Sequence, residues 1–428
     1  MADEKRFNFY AGKSSALPRF VYRRLAAALQ GNGQPRQGMI DAAITELLTG
    51  KDPDLRKFKF AVPAFLKQKL SPDELAHFET QTAKRQERAS QLKMVFPHVA
   101  DEFSVDCPFL DSVFEMSGPT LKRGCGFFTI GSCFARNIAQ YLAVNGQRAK
   151  TFGLAEDLNS PISNAFLLKL MEETPERQRD ILLHWVGAIF PELSEADKQQ
   201  TAAQKLGEIA ELHRNLTEAD CVILTLGNVV DFFRDDGTRG APLMDNIFPK
   251  FIAMPGSEDI NIRSASAANL KGKGAVLRLA TYSETLEAIK ACIAGIRSVT
   301  DAALVVTISP VPIDSAIGLA NHHLKSAIEV DCVSKSRIRS AFDEVFAAEC
   351  AKDSAIWYYP SFEIVRWIAP LLPIPAFGFD DAASRHVSSP VLDGVCSLFT
   401  QRFLSFSDEP AGKAAEAATP SLVLERNA

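Results

Sequence analysis

The sequence contains no Cys-x-x-Cys pair; its 8 cysteines stand apart at positions 107, 125, 133, 221, 292, 332, 350 and 396. That scatter lacks the pattern of a zinc site or a disulfide framework and fits reduced, mostly buried thiols in a cytosolic protein. No run of about 18 apolar residues occurs, which argues against a membrane-spanning helix. The charged start, Met1-Ala-Asp-Glu-Lys-Arg6, is followed by no apolar h-region. A secretory signal is therefore not expected, and a cytoplasmic location is. Neither charge dominates: Lys+Arg number 47 against Asp+Glu 52, a formal net charge of -5. That balance gives no reason to expect a nucleic-acid partner, and no acidic block marks a solvating tail. No internal repeat suggests a solenoid. No cofactor or metal motif is present, so none is expected.

What is present is an ordinary globular composition, 46% hydrophobic and 23% charged over 428 residues. That length allows about two or three domains. Residues 1–110 read as a helical N-terminal extension, with helices over 20–29, 39–48 and from Ser71 to about Met94. In the last, Ser71, Pro72 and Glu74 form a capping-box start. Past about Cys125 the pattern becomes strands alternating with helices, which is α/β with a mostly parallel sheet. Buried strands are expected at 127–130, 220–226, 303–308 and 356–359. Helices are expected at 134–142, 164–172, 175–185, 194–212, 283–299, 334–350 and 391–403. The stretch 151–164 is a polar loop suited to carrying binding groups, and 232–269 is a long loop of the kind that passes over a site. Residues 406–428 read as a disordered tail.

The organising stretch is Gly126-Phe-Phe-Thr-Ile-Gly-Ser-Cys-Phe-Ala135. An apolar strand breaks at Gly131-Ser132-Cys133 and turns directly into a helix whose Phe134, Ile138 and Leu142 share one face. Free N–H groups in a first helical turn stabilise an anion, so Ser132 is a candidate nucleophile. The competing reading is that Ser132 is a helix cap. Cys133 is a rival nucleophile, because a helix N-terminus lowers a thiol pKa, or else a small buried apolar residue. In a parallel sheet, ligands bind beyond the carboxyl ends of the strands. Here those ends deliver Gly131-Ser132, Gly227-Asn228, Ser309-Pro310 and Pro360-Ser361.

A serine nucleophile needs a base, an orienting carboxylate and oxyanion donors. Of the 7 histidines, His386 has the most suitable setting, in Phe379-Asp-Asp-Ala-Ala-Ser-Arg-His386, with Asp380 and Asp381 close by. His322 and His323 read as a solvated pair; His98, His184 and His213 read as structural.

Gly131-Ser-Cys-Phe-Ala135 resembles the signature of the GSCFA-domain family. Leu224-Thr-Leu-Gly227, Thr307-Ile-Ser-Pro-Val-Pro312, Ser334-Lys-Ser-Arg-Ile-Arg339 and Tyr359-Pro-Ser-Phe-Glu-Ile364 resemble its later blocks in the same order, over about residues 110–405. That family is similar to SGNH/GDSL-type hydrolases. The resemblance implies a flavodoxin-like three-layer α/β sandwich over 111–405, with Ser132 as nucleophile and His386 as general base; Asp381, five residues before His386, is the candidate orienting acid. The resemblance also places an oxyanion donor in the block of Gly227 and Asn228, with Gly131 in the tight turn and the N–H of Cys133 adding to the hole. Two departures stand out. Position 383 is Ala where the SGNH pattern has Asp, and Gly227-Asn-Val-Val-Asp231 differs from Gly-x-Asn-Asp. The function implied is acyl-ester hydrolysis, with an O-acetylated carbohydrate as the candidate substrate. Two other readings remain open. One is acyl transfer to a sugar hydroxyl, with Lys335, Arg337 and Arg339 holding a phosphorylated donor. The other is a degenerate binding or scaffold module.

Overall fold

The strands are β1 (Thr120–Arg123), β2 (Gly126–Gly131), β3 (Arg148–Thr151), β4 (Cys221–Leu226), β5 (Val230–Arg234), β6 (Ala275–Leu279), β7 (Ala303–Ile308), β8 (Ile356–Tyr359) and β9 (Ser405–Pro410). The principal helices are α1 (Cys133–Val144), α2 (Pro161–Glu172), α3 (Pro175–Ile189), α4 (Glu195–Glu218), α5 (Tyr282–Arg297), α6 (Ala327–Cys350) and α7 (Ser389–Leu398). The computed structural model describes residues 116–410 apart from 153–157, 236–241, 254–269, 271–272, 314, 321–322, 351, 373 and 381–383. It also describes 72–73, 76, 110 and 113–114. The expected helices over 20–29 and 39–48, most of that from Ser71, and residues 411–428 lie outside the described part.

Five strands form one wholly parallel sheet in the order β3-β2-β4-β7-β8. Counted within that sheet, the order is 2-1-3-4-5, the flavodoxin-like doubly wound arrangement. The apolar strands are central: all six residues of β4 are buried, as are the last five of β2 and of β7. A strand covered on both faces has no polar side to alternate with, which is why these runs are continuous in sequence. Right-handed crossovers from β2 to β3 and from β4 to β7 run in opposite directions along the sheet. They therefore put α1 on one face and α5 on the other, giving an α/β sandwich of three layers.

Several elements depart from expectation. Arg148–Thr151 is an edge strand, with Arg148 and Lys150 exposed and Lys150 Nζ 3.1 Å from a Glu218 carboxylate oxygen. Charged residues on an edge discourage further strand pairing and hide the strand from an apolar pattern. The long segment after Gly227 holds structure of its own. β5 pairs antiparallel with β6, and short helices cover Leu243–Asn246 and Lys250–Ala253. β6 is tied to α5 through Arg278 and Glu284, whose two bonds measure 2.8 and 2.6 Å, while Thr281 and Glu284 close a capping box. Residues 406–410, expected in the tail, belong to β9, which pairs in parallel with β1.

Contacts divide the chain into two units, Ser117–Phe362 with Phe399–Ala428, and Met1–Met116 with Glu363–Leu398. The segment 363–398, expected inside the α/β domain, thus groups with the N-terminal part. Within it a π-turn at Ile364–Ile368 and a 3-10 turn at Ala369–Leu371 follow β8, and α7 comes later.

Candidate functional site

Ser132 stands where β2 becomes α1. Gly131 makes the turn with φ +118, and a Cβ there would collide with the Thr225 carbonyl oxygen. Only glycine lets β2 end this close to β4. The Ser132 N–H donates to the same Thr225 oxygen at 3.3 Å. Ser132 occupies the N-cap position of α1, yet its side chain makes no capping bond. The residue is 3% exposed, and its Oγ has no hydrogen-bond partner. The ordinary structural reason for serine at a helix start is therefore absent, and an unpaired buried hydroxyl costs about 1–3 kcal/mol. Such a group calls for another explanation, of which catalysis is one. Thr129 Oγ1, Thr225 Oγ1 and Asn164 Oδ1 are also unpaired, but they lie inside β2, β4 and α2. Ser132 alone of these stands at the carboxyl edge of the sheet. That edge has its switch point between β2 and β4, because their following connections lead in opposite directions.

The other strand ends are tied down. Past β4, the N–H groups of Gly227 and Asn228 both donate to the Asn159 carbonyl oxygen, at 2.8 and 3.2 Å. The Gly227 oxygen accepts from Lys335 Nζ, a buried ammonium on α6 that also donates to the Ser309 oxygen at 2.7 Å. Past β8, Ser361 Oγ donates to the Ile308 oxygen at 3.0 Å and lies 2.6 Å from Thr307 Oγ1. Gly227 and Asn228, expected near an oxyanion hole, therefore have their backbone donors engaged elsewhere. The reason is the polar loop before α2, which crosses the end of β4 and needs those N–H groups for its own carbonyl.

That crossing is held by a cluster sequence reasoning left unassigned. Asp231 is buried and accepts bonds from the hydroxyls of Ser160 and Ser163 on one oxygen and from the Phe232 N–H at 2.8 Å on the other. Ser160 caps α2 by accepting from the Ser163 N–H at 3.0 Å. The pair Ser160-x-x-Ser163 reads as an ordinary cap in sequence; only its meeting with Asp231 across the sheet edge marks it out. Asn228 Nδ2 donates to Asn159 Oδ1 at 2.9 Å, while Asn228 Oδ1 accepts from the Val230 N–H at 2.8 Å.

The remaining expected residues fall differently. His386 is exposed and belongs to the unit of 363–398, whereas Ser132 belongs to the other. Asp380 caps α7, accepting from the Ser389 N–H at 2.7 Å and from its hydroxyl at 2.6 Å. Asp381 lies outside the described residues, as does His322; His323 is exposed. Cys133 begins α1, and only its backbone is described. The basic set expected to hold a phosphorylated donor is committed instead to the fold. Lys335 joins two strand ends, Arg337 donates to the Ala280 oxygen, and Arg339 pairs with Asp343 at 3.1 Å and covers the Tyr358 ring. Long stems carried the charges of Lys335 and Arg337 inward to carbonyls, which a linear reading of charge cannot show.

Four of the five described free thiols are buried. Burial pushes Cys125 up to about 11 and Cys396 up to about 12, and raises Cys221 and Cys292 as well. These are inert packing residues. Cys332 is exposed. Among the described residues no three His, Cys, Asp or Glu side chains gather as a metal site, and no helix is long and apolar enough to cross a membrane.

No curated protein and no solved structure matches the chain. The GSCFA family matches residues 126–397, which run from the first residue of β2 nearly to the end of α7 and make up more than half of the sequence. The chain belongs to the GSCFA family.

Proposed function

We propose that this protein is a serine-dependent acyl-ester hydrolase of SGNH-like type, acting in the cytoplasm on an O-acetylated carbohydrate. The observation that carries the reading is the Ser132 hydroxyl: buried, uncapped and unpaired at the switch point of a parallel sheet. In the proposed reaction Ser132 Oγ attacks the ester carbonyl carbon while His386 takes its proton. The carbonyl oxygen becomes an oxyanion facing donor N–H groups, and collapse expels the sugar oxygen, which receives the proton from His386. Water then attacks the acyl-serine with His386 again as base, releasing acetate and free Ser132. Asp381 is assigned the role of orienting the His386 imidazole. The His386 assignment, like the carbohydrate substrate, comes from the family resemblance, and that of Asp381 from its closeness in sequence to His386. Acyl transfer from a phosphorylated donor loses its support, since Lys335, Arg337 and Arg339 have partners within the fold.

Hydrolysis of p-nitrophenyl acetate by purified protein tests the reading. Turnover is expected in the wild type and at background in both Ser132→Ala and His386→Ala, with circular dichroism and melting temperature preserved. Wild-type turnover in Ser132→Ala would move the assignment to Cys133, and folded wild-type protein without turnover would move it to a binding module.

A further inference from the structure

The oxyanion donor in this reading cannot be the backbone of Gly227 or Asn228, because both N–H groups already bond the Asn159 carbonyl oxygen. Nor is the Ser132 N–H unengaged, since it donates to Thr225. The side-chain amides on this edge supply the alternative. Their orientation follows from one unambiguous bond. The Val230 N–H can only donate, so the Asn228 atom facing it must be Oδ1. That places Asn228 Nδ2 toward Asn159, whose facing atom must then be the acceptor Oδ1. The Asn159 Nδ2 is consequently turned away from Asn228, and among the described residues it donates to nothing.

Asn159 is also rigidly mounted. Its carbonyl is clamped by two N–H groups of the β4 turn, and the next residue, Ser160, is fixed by the buried Asp231 carboxylate. Gly227 is required for the same fit, because a Cβ there would collide with the Asn159 carbonyl oxygen. Ser132 and Asn159 flank one stretch of chain: Ser132 bonds Thr225, and Asn159 bonds Gly227 two residues further on. A half-buried amide whose two N–H donors are unused among the described residues, fixed through its carbonyl two residues beyond the β4 residue that Ser132 bonds, has the properties of a preorganised oxyanion donor.

We propose that the Asn159 side-chain amide stabilises the oxyanion formed at Ser132, and that Asn228 is the positioning residue that holds its Nδ2 outward. This rests on the serine-hydrolase reading above. The role left for Asn228 is thus to orient, through both atoms of its own amide, the residue that contacts substrate.

Steady-state kinetics with p-nitrophenyl acetate test both parts, alongside circular dichroism on each variant. Asn159→Ala keeps the clamping carbonyl and removes the donor; kcat is expected to fall about 10²–10³-fold with KM little changed. Asn159→Asp keeps the shape and the acceptor for Asn228, so it guards against misfolding, and it should lose at least as much. Asn228→Asp keeps the acceptor for Val230 but has no N–H for Asn159. The Asn159 amide must then rotate its Nδ2 inward to the new carboxylate, and kcat should fall about as far as in Asn159→Ala. Wild-type kcat in both Asn159 variants, with Ser132-dependent turnover intact, overturns this proposal and leaves the serine reading standing. Wild-type kcat in Asn228→Asp alone overturns the positioning role. A wild-type protein without Ser132-dependent turnover removes both readings together.

Discussion

The end of β2 and the ends of β4, β7 and β8 lie on the same edge of one sheet but are finished in opposite ways. At the latter three, N–H groups and carbonyls are satisfied through Asn159, Lys335, Ser309 and Ser361, in a lattice of bonds. At the former, a glycine with positive φ brings Ser132 against β4, and the serine hydroxyl is left without a partner. Each bond of the lattice is worth about 1 kcal/mol, and the unpaired hydroxyl costs a similar amount or more. The difference teaches that most polar atoms on this edge hold the fold, while the Ser132 hydroxyl, like the outward Asn159 amide, stands outside that lattice. A group kept at a cost to stability is the one to associate with function.

The contrast can be broken by substitution, and the largest effect is expected at Ser132 itself. Ser132→Ala should lower ester turnover by about 10⁴-fold or more. It should leave the melting temperature equal to or above wild type, because an unpaired buried hydroxyl is removed. Next comes Gly131→Ala. Its φ of +118 and the collision with the Thr225 oxygen should destabilise by about 3 kcal/mol or more, read by urea unfolding. Lys335→Met leaves the Gly227 and Ser309 carbonyls without their ammonium and should cost about 2–4 kcal/mol in the same assay. Smallest is Ser361→Ala, which deletes one bond to the Ile308 oxygen while Thr307 keeps its bond to the Tyr359 oxygen. About 1 kcal/mol is expected. If Ser132→Ala destabilised as Ser361→Ala does, the distinction between the two kinds of strand end would collapse.

How much of this was legible in sequence depended on whether a residue's role is local. The central strands were, because Cys221–Leu226 and Ala303–Ile308 are buried along nearly their whole length and show it as unbroken apolar runs. The edge strand Arg148–Thr151 was not, since its two basic residues face solvent. The pair β5 and β6 was hidden within or beside what reads as a long loop, because its pairing joins segments separated by residues 235–274. The same rule governs the site. Gly131 and Ser132 announce themselves through a strand, a turn and a helix that are contiguous. Asn159, Ser160, Ser163 and Asp231 each look like common cap or turn residues. Their meaning comes from bonds across sequence separations of 68 to 71 residues. Lys335 reads with Arg337 and Arg339 as a candidate grip on a phosphorylated donor, and proved to be a buried clamp.

Ser132 carries the central claim, and labelling with a fluorophosphonate probe followed by peptide mapping tests it most directly. Modification at Ser132, absent in His386→Ala, is the predicted result and identifies a serine activated by that histidine. Folded wild-type protein that takes up no label, or takes it up at another residue, would contradict the account.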